Sequence, residues 1–107
     1  MTSDPELLAE YRRYNRLLFG NSLRPDVILY WDSLSEDDAD AIIDDKLIPG
    51  KFVIRVKAAL AGWKNQWRLC LIHEMAHLHL WPYQHHGDAW DREIIRLTKY
   101  KSYRKLL

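Results

Sequence analysis

This sequence of 107 residues is short of the residues that break or staple a chain, with four glycines, four prolines and one cysteine. A lone Cys70 excludes an internal disulfide and suits a reducing compartment, so a cytoplasmic location is expected. The few Gly and Pro, without any low-complexity run, exclude collagen-like, linker-like and mucin-like chains. No apolar stretch approaches the ~18 residues of a membrane helix. The start, Met1 to Glu6, has no basic segment leading into an apolar one, so no secretory signal is expected. Net charge is also small, +1 at neutral pH, but it conceals a split. Residues 1–50 carry eleven acids and five bases, and residues 51–107 carry four acids and eleven bases. Seven of the acids lie between Asp32 and Asp45, and six bases from Arg92 to Lys105 lie near the C-terminus. The two runs read as solvated faces, as a polyanion contact on the basic side, or as an acidic segment docked on those bases.

What is abundant is apolar material. With 48% hydrophobic and 12% aromatic residues the chain can bury a core, and its length fits one domain over 1–107. Asp4-Pro5-Glu6 has the order of a helix start, and a helix over about 5–18 follows, with Leu7, Leu8, Tyr11, Tyr14, Leu17 and Leu18 as its apolar positions. Gly20-Asn21 and Pro25 end it. Val27 to Trp31 reads as a buried strand. The stretch 33–50 is ambiguous between the helix caps Ser33-x-x-Glu36 and Ser35-x-x-Asp38 and a strand near 40–44, with the strand preferred. In 51–57, Phe52, Ile54 and Val56 alternate with Lys51, Arg55 and Lys57, Val53 being the exception, which predicts a half-exposed strand. A central helix spans about 65–80 and stops before Pro82. Gly87-Asp88 opens a last helix running to about Tyr103, with Trp90, Ile94 and Leu97 at core spacing. Helix, strands, helix, helix predicts an α+β domain with a sheet of about three strands.

All five histidines fall between positions 73 and 86. His73-Glu74-Met75-Ala76-His77 is an H-E-x-x-H sequence inside the central helix, and by average residue frequencies it arises by chance in roughly a few chains per thousand of this length. Four residues is just over one turn, so both imidazoles leave one face with Cβ atoms roughly 5–6 Å apart, a separation that brackets one zinc ion. Glu74, one step round the helix, can aim its carboxylate at a water on the metal without being a ligand. A catalytic zinc generally takes a third protein ligand. His86 is preferred, because Gly87 permits a sharp turn and Trp90 can pack behind the ring; His85 is the alternative. The spacing H-E-x-x-H-x8-H differs from the metzincin order, which would put the third histidine at Tyr83. His79 points about 160° away from His77 and reads as a surface or packing residue. Cys70 lies about 10 Å from His77 along the axis and reads as a buried thiol.

These residues resemble the SprT-like zinc metalloproteases, the group that includes the Spartan protease domain. The likeness runs from about Tyr11 to Thr98. It is carried by Tyr14-Asn15 with Phe19-Gly20 and Leu23, by the strand Val27 to Trp31, by Val53 to Val56 with Leu60, by Leu71-Ile72-His73-Glu74-Met75-Ala76-His77, and by His86-Gly87-Asp88-Ala89-Trp90. The resemblance implies a minimal zincin-like fold, zinc held by His73, His77 and His86, and Glu74 as the general base of a peptidase acting on protein substrates, DNA-associated ones among them. Many relatives carry a cysteine-rich zinc ribbon after the protease domain, and one cysteine cannot build one.

Three neutral imidazoles leave zinc its full charge, so peptide hydrolysis by a zinc-activated water with Glu74 as base is the expected function. An exposed edge of the strand near 51–57 is expected to pair with an extended substrate. Tyr83 lies near the site in sequence, with packing as its expected role. The competing reading is a non-catalytic zinc-stabilised module that binds nucleic acid or regulates; Glu74 argues against it, because a structural site needs no carboxylate there. On a continuous last helix Arg92, Arg96, Lys99 and Tyr103 form one stripe, and Trp90, Ile94, Leu97 and Lys101 another facing mainly inward. Weak, sequence-independent DNA binding through Arg92, Arg96, Lys99 and Lys101 is the matching expectation.

Overall fold

The computed structural model describes residues 2–35, 39–82 and 86–107. Its first element is helix α1 (Pro5–Phe19), which begins where the sequence places it: the Asp4 carboxylate accepts from the Leu7 N–H at 3.0 Å, and Pro5 needs no donor partner at the first turn. Gly20, at φ +58°, supplies the left-handed residue that closes the helix, its N–H returning to the Asn15 carbonyl. Leu7, Tyr11, Tyr14 and Leu18 recur by four, three and four and are wholly buried. Leu17, expected on the same face, is exposed, because one residue is about 100° of rotation and carries it off that stripe. Asn15 is buried and fully used: its Nδ2 donates to the Leu23 carbonyl at 2.9 Å and its Oδ1 accepts from the Leu23 N–H at 3.1 Å. With Tyr11 donating to the Arg24 carbonyl at 2.6 Å, these bonds hold the turn that leads into the sheet.

The sheet has three strands, β1 (Ile28–Asp32), β2 (Ala41–Asp44) and β3 (Val53–Lys57), in the order β1-β3-β2. β3 runs parallel to β1, with Ile28 opposite Val53 and Asp32 opposite Lys57, and antiparallel to β2, with Ala41 opposite Val56 and Asp44 opposite Val53. This corrects one expectation. The strand within 51–57 has no free edge, since it is bonded on both sides, and its central place buries Val53 together with Ile54 and Val56. Its bases are covered by acids from β1 and from just before β2: Arg55 meets Asp32 and Lys57 meets Asp40, each at 3.3 Å. The acidic segment thus neutralises β3 through Asp32 and Asp40; Glu36, Asp37 and Asp38, with the two cap readings that end on Glu36 and Asp38, lie outside the described residues. The outer edge of β1 is covered as well. There the Leu29 N–H donates to Ser3 Oγ at 3.0 Å, and the Leu29 carbonyl accepts from the Asp4 N–H at 2.7 Å.

A single turn at Ala58–Leu60 leads to α2 (Lys64–His79), which packs with α1 against the sheet. Trp67, Leu71, Ile72 and Met75 of α2 join Leu29, Ile54 and Val56 of the sheet in the core, each such side chain contributing roughly 1.5–3 kcal/mol by leaving water. The last helix is not continuous. α3 (Asp88–Thr98) ends, Tyr100 is extended, and a short α4 (Lys101–Arg104) follows, with Arg104 donating to the Thr98 carbonyl at 2.9 Å. The stripe drawn from Arg92 to Tyr103 is therefore broken, and Lys101, expected to face inward, is exposed. No helix among the described residues is long and apolar enough to cross a membrane.

Candidate metal centre

α2 presents His73 and His77 one turn apart, and the chain leading into α3 presents His86. The Nε2 of His77 lies 3.1 Å from that of His73 and 3.1 Å from that of His86, and one ring nitrogen from each residue falls within 4.8 Å of the other two. Two nitrogens bound at ~2.0–2.1 Å to one tetrahedral ion stand about 3.3–3.4 Å apart, and the two separations from His77 lie close to that spacing. The two rings of α2 are shifted towards the neutral form. Burial, then the neighbouring His73 and His86, push His77 down to about 4, and burial followed by His86 lowers His73. Neutral imidazoles offer lone pairs, as ligation demands. The donor set is all nitrogen, which suits zinc and tells against calcium or magnesium.

Trp90 backs all three rings. Its indole stacks on His77 at 4.4 Å and 22° and on His86 at 4.5 Å and 20°, and it meets His73 at 4.7 Å and 58°. Trp90 is packed on His86 as expected, and its reach extends to the two histidines of α2.

On the sheet side stands Glu74, only 7% exposed, with its carboxylate accepting from the Ile43 N–H of β2. Burial raises its pKa to about 8, against the lowering effect of that one bond. Glu74 separates two cavities beneath β2, one of about 310 Å³ that includes His73 and Cys70 and one of about 220 Å³ that includes His77, Ile42 and Trp81. The two share Ala39, Ala41 and Glu74 in their walls and together make one cleft beside β2. Cys70 is half-buried and lines this cleft, so the expectation of a core thiol is corrected; burial, then Asp40 and Glu74, push the thiol up to about 11.

His79 points away from the cluster, as its position on the helix requires. Its ring meets Phe19 edge-on at 5.4 Å and its Nδ1 donates to Glu93. Glu93, 4% exposed, is the residue the sequence reading missed. The signal was present: Glu93 lies three residues after Trp90 and four before Leu97, so an acid occupies the inward stripe and demands partners. Tyr83 and His85 lie outside the described residues.

No family model matches this chain, and no curated protein or solved structure gives a significant match.

Proposed function

We propose that this chain is a zinc-dependent endopeptidase in which His73, His77 and His86 hold the metal and Glu74 is the general base. The observation that carries the proposal is the convergence of three Nε2 atoms beside a buried carboxylate that has no cationic partner among the described residues. It is the activity implied by the resemblance to the SprT-like metalloproteases. Zinc, when bound, supplies a Lewis acid that polarises a peptide carbonyl and makes water acidic near neutral pH.

The chain's own groups do the rest. Glu74 takes a proton from the attacking water and returns it to the leaving amide nitrogen. Its raised pKa falls again when a cation is held beside it, since an opposite charge favours the carboxylate, and this leaves a base near the working pH. Among the described residues β2 pairs with one strand only, and it lines the cavities that Glu74 also lines, so it replaces β3 as the place where an extended peptide pairs, through backbone groups other than the Ile43 N–H that Glu74 holds. Trp90 packs on all three rings and lines neither of the cavities that Glu74 lines, so substrate approaches from the Glu74 side.

A non-catalytic zinc staple is supported less well. Such a site closes with a fourth Cys or His, and the cluster among the described residues has three members. A single cysteine, with no partner for an internal disulfide, supports a cytoplasmic location. Exposed Arg92, Lys99 and Lys101 support a weak, sequence-independent contact to a polyanion such as DNA.

The test is metal content and cleavage together. One zinc per chain is expected by elemental analysis, lost in His77→Ala and in His86→Ala. Glu74→Gln is expected to keep the zinc and lose about 10²–10⁴-fold in cleavage of an unfolded protein substrate. A zinc-free wild type, or an active Glu74→Gln, overturns the proposal.

A further inference from the structure

We infer that Glu93 is a positioning residue for the metal centre: it clasps α3 to the end of α2 and so fixes His86 against His73 and His77. The inference rests on the metal reading above and deepens it.

The three ligands come from two elements that are not continuous with each other. His73 and His77 are fixed relative to one another by α2, but His86 belongs to the leader of α3. Little backbone packing joins α2 to α3, whereas α2 packs closely on β2, β3 and α1. The placement of His86 therefore depends on side chains. Trp90 lies against the rings themselves and needs α3 to be held at the right height and rotation.

Glu93 supplies that hold. One carboxylate oxygen accepts from His79 Nδ1, two residues beyond the ligand His77, and the other accepts from Arg96 Nε at 2.6 Å. Arg96 in turn donates to the Leu18 carbonyl at the end of α1, and its guanidinium lies 5.0 Å over the Phe19 ring. One buried acid thus ties α3 to α2 and α1 together. Glu93 sits on the face of α3 that carries Trp90, one turn further along, so a shift at Glu93 moves the indole and with it His86. Charge-assisted bonds of fixed geometry suit this task better than apolar contact, which tolerates sliding. Partners beyond a metal's ligands typically change its affinity by about 10–100-fold when removed.

The experiment is Co²⁺ titration of the chelator-stripped full chain, read by the visible absorption of the cobalt centre and by competition with a chelator. Glu93→Gln is expected to bind Co²⁺ about 10–100-fold more weakly, with an altered tetrahedral band, while circular dichroism shows it folded. His79→Ala, which cuts only the α2 end of the clasp, is expected to move both readouts in the same direction, and it serves if Glu93→Gln does not fold. Asn15→Ala is the control. It removes two buried hydrogen bonds remote from the rings, so it is expected to lower the melting temperature and leave Co²⁺ affinity within about two-fold. Wild-type protein that binds no Co²⁺ overturns the metal reading and this inference with it. A wild type that binds, beside Glu93→Gln or His79→Ala with unchanged affinity and spectrum, overturns the positioning role alone. An equal loss of affinity in Asn15→Ala does the same.

Discussion

Glu74 and Glu93 are both buried acids on helices that border the histidine cluster, yet their surroundings treat them in opposite ways. Glu93 is met by an imidazole and a guanidinium, so its charge is answered inside the protein. Glu74 has one backbone donor, Ile43, and opens on a cleft; burial carries its pKa up to about 8. A charge that is answered locally holds helices together. A buried carboxyl without a cation beside it is costly to ionise, a cost that the proposed metal would offset. The same contrast separates Asn15, whose carboxamide is fully used by Leu23, from the imidazoles, whose nitrogens converge on one another.

The largest way to break this comparison is to neutralise each acid in turn. Glu74→Gln and Glu93→Gln should both lower cleavage at limiting zinc. Saturating zinc should restore most of the rate in Glu93→Gln and none of the ~10²–10⁴-fold loss in Glu74→Gln. Equal recovery in both would show that the two acids do the same job.

A smaller effect is expected in stability. The folded-state pKa of Glu74, about 8, lies above the ordinary value near 4.5, so folded protein holds that proton more tightly than unfolded protein does. Stability from this source is present at low pH and is lost as pH rises through about 8. His77 works in the other direction: its folded value near 4 lies below the ordinary 6.5, and stability is lost as pH falls between the two. In chelator-treated protein, Glu74→Gln should therefore melt above wild type at pH 9 by on the order of a few kcal/mol, with the gap closing towards pH 5. A gap that does not change with pH would remove the assigned burial cost.

The smallest expected effect concerns the basic face. Arg96 is held by Glu93 and Leu18, whereas Arg92, Lys99 and Lys101 are exposed. Binding of duplex DNA, measured against salt, should lose up to about 2 in log–log slope on Lys99→Glu with Lys101→Glu, and Arg96→Gln should leave the slope unchanged. A slope that drops with Arg96 instead would mean that its bond to Glu93 opens on binding.

Much of this was legible in the sequence because it depends on local spacing. The stripe Leu7, Tyr11, Tyr14, Leu18 and the pair His73, His77 follow from 3.6 residues per turn, and the caps Asp4 and Gly20 follow from backbone chemistry. What was not legible depends on partners distant in sequence. Alternation in 51–57 marks a strand but does not say which strands flank it, so the central place of β3 and the open edge of β2 emerge only from the pairing. The break at Lys99–Tyr100 carries no Gly or Pro to announce it. Glu93 was passed over because an acid in a helix is usually solvated, and its partners His79 and Arg96 acquire meaning only once α2 and α3 meet.

One feature of the sheet bears on how the molecule keeps to itself. Ser3 and Asp4 cover the outer edge of β1, whereas among the described residues no strand pairs with the outer side of β2, and an unpaired edge is where strands of other copies add on. Were two copies to join antiparallel through β2, centred between Ile42 and Ile43, Asp40 of one, already held by Lys57, would face Asp45 of the other, and each end of the pair would bring a second acid to that ion pair. The short strand thus carries its own deterrent to fibre-like stacking, one that a neutral or basic peptide does not meet.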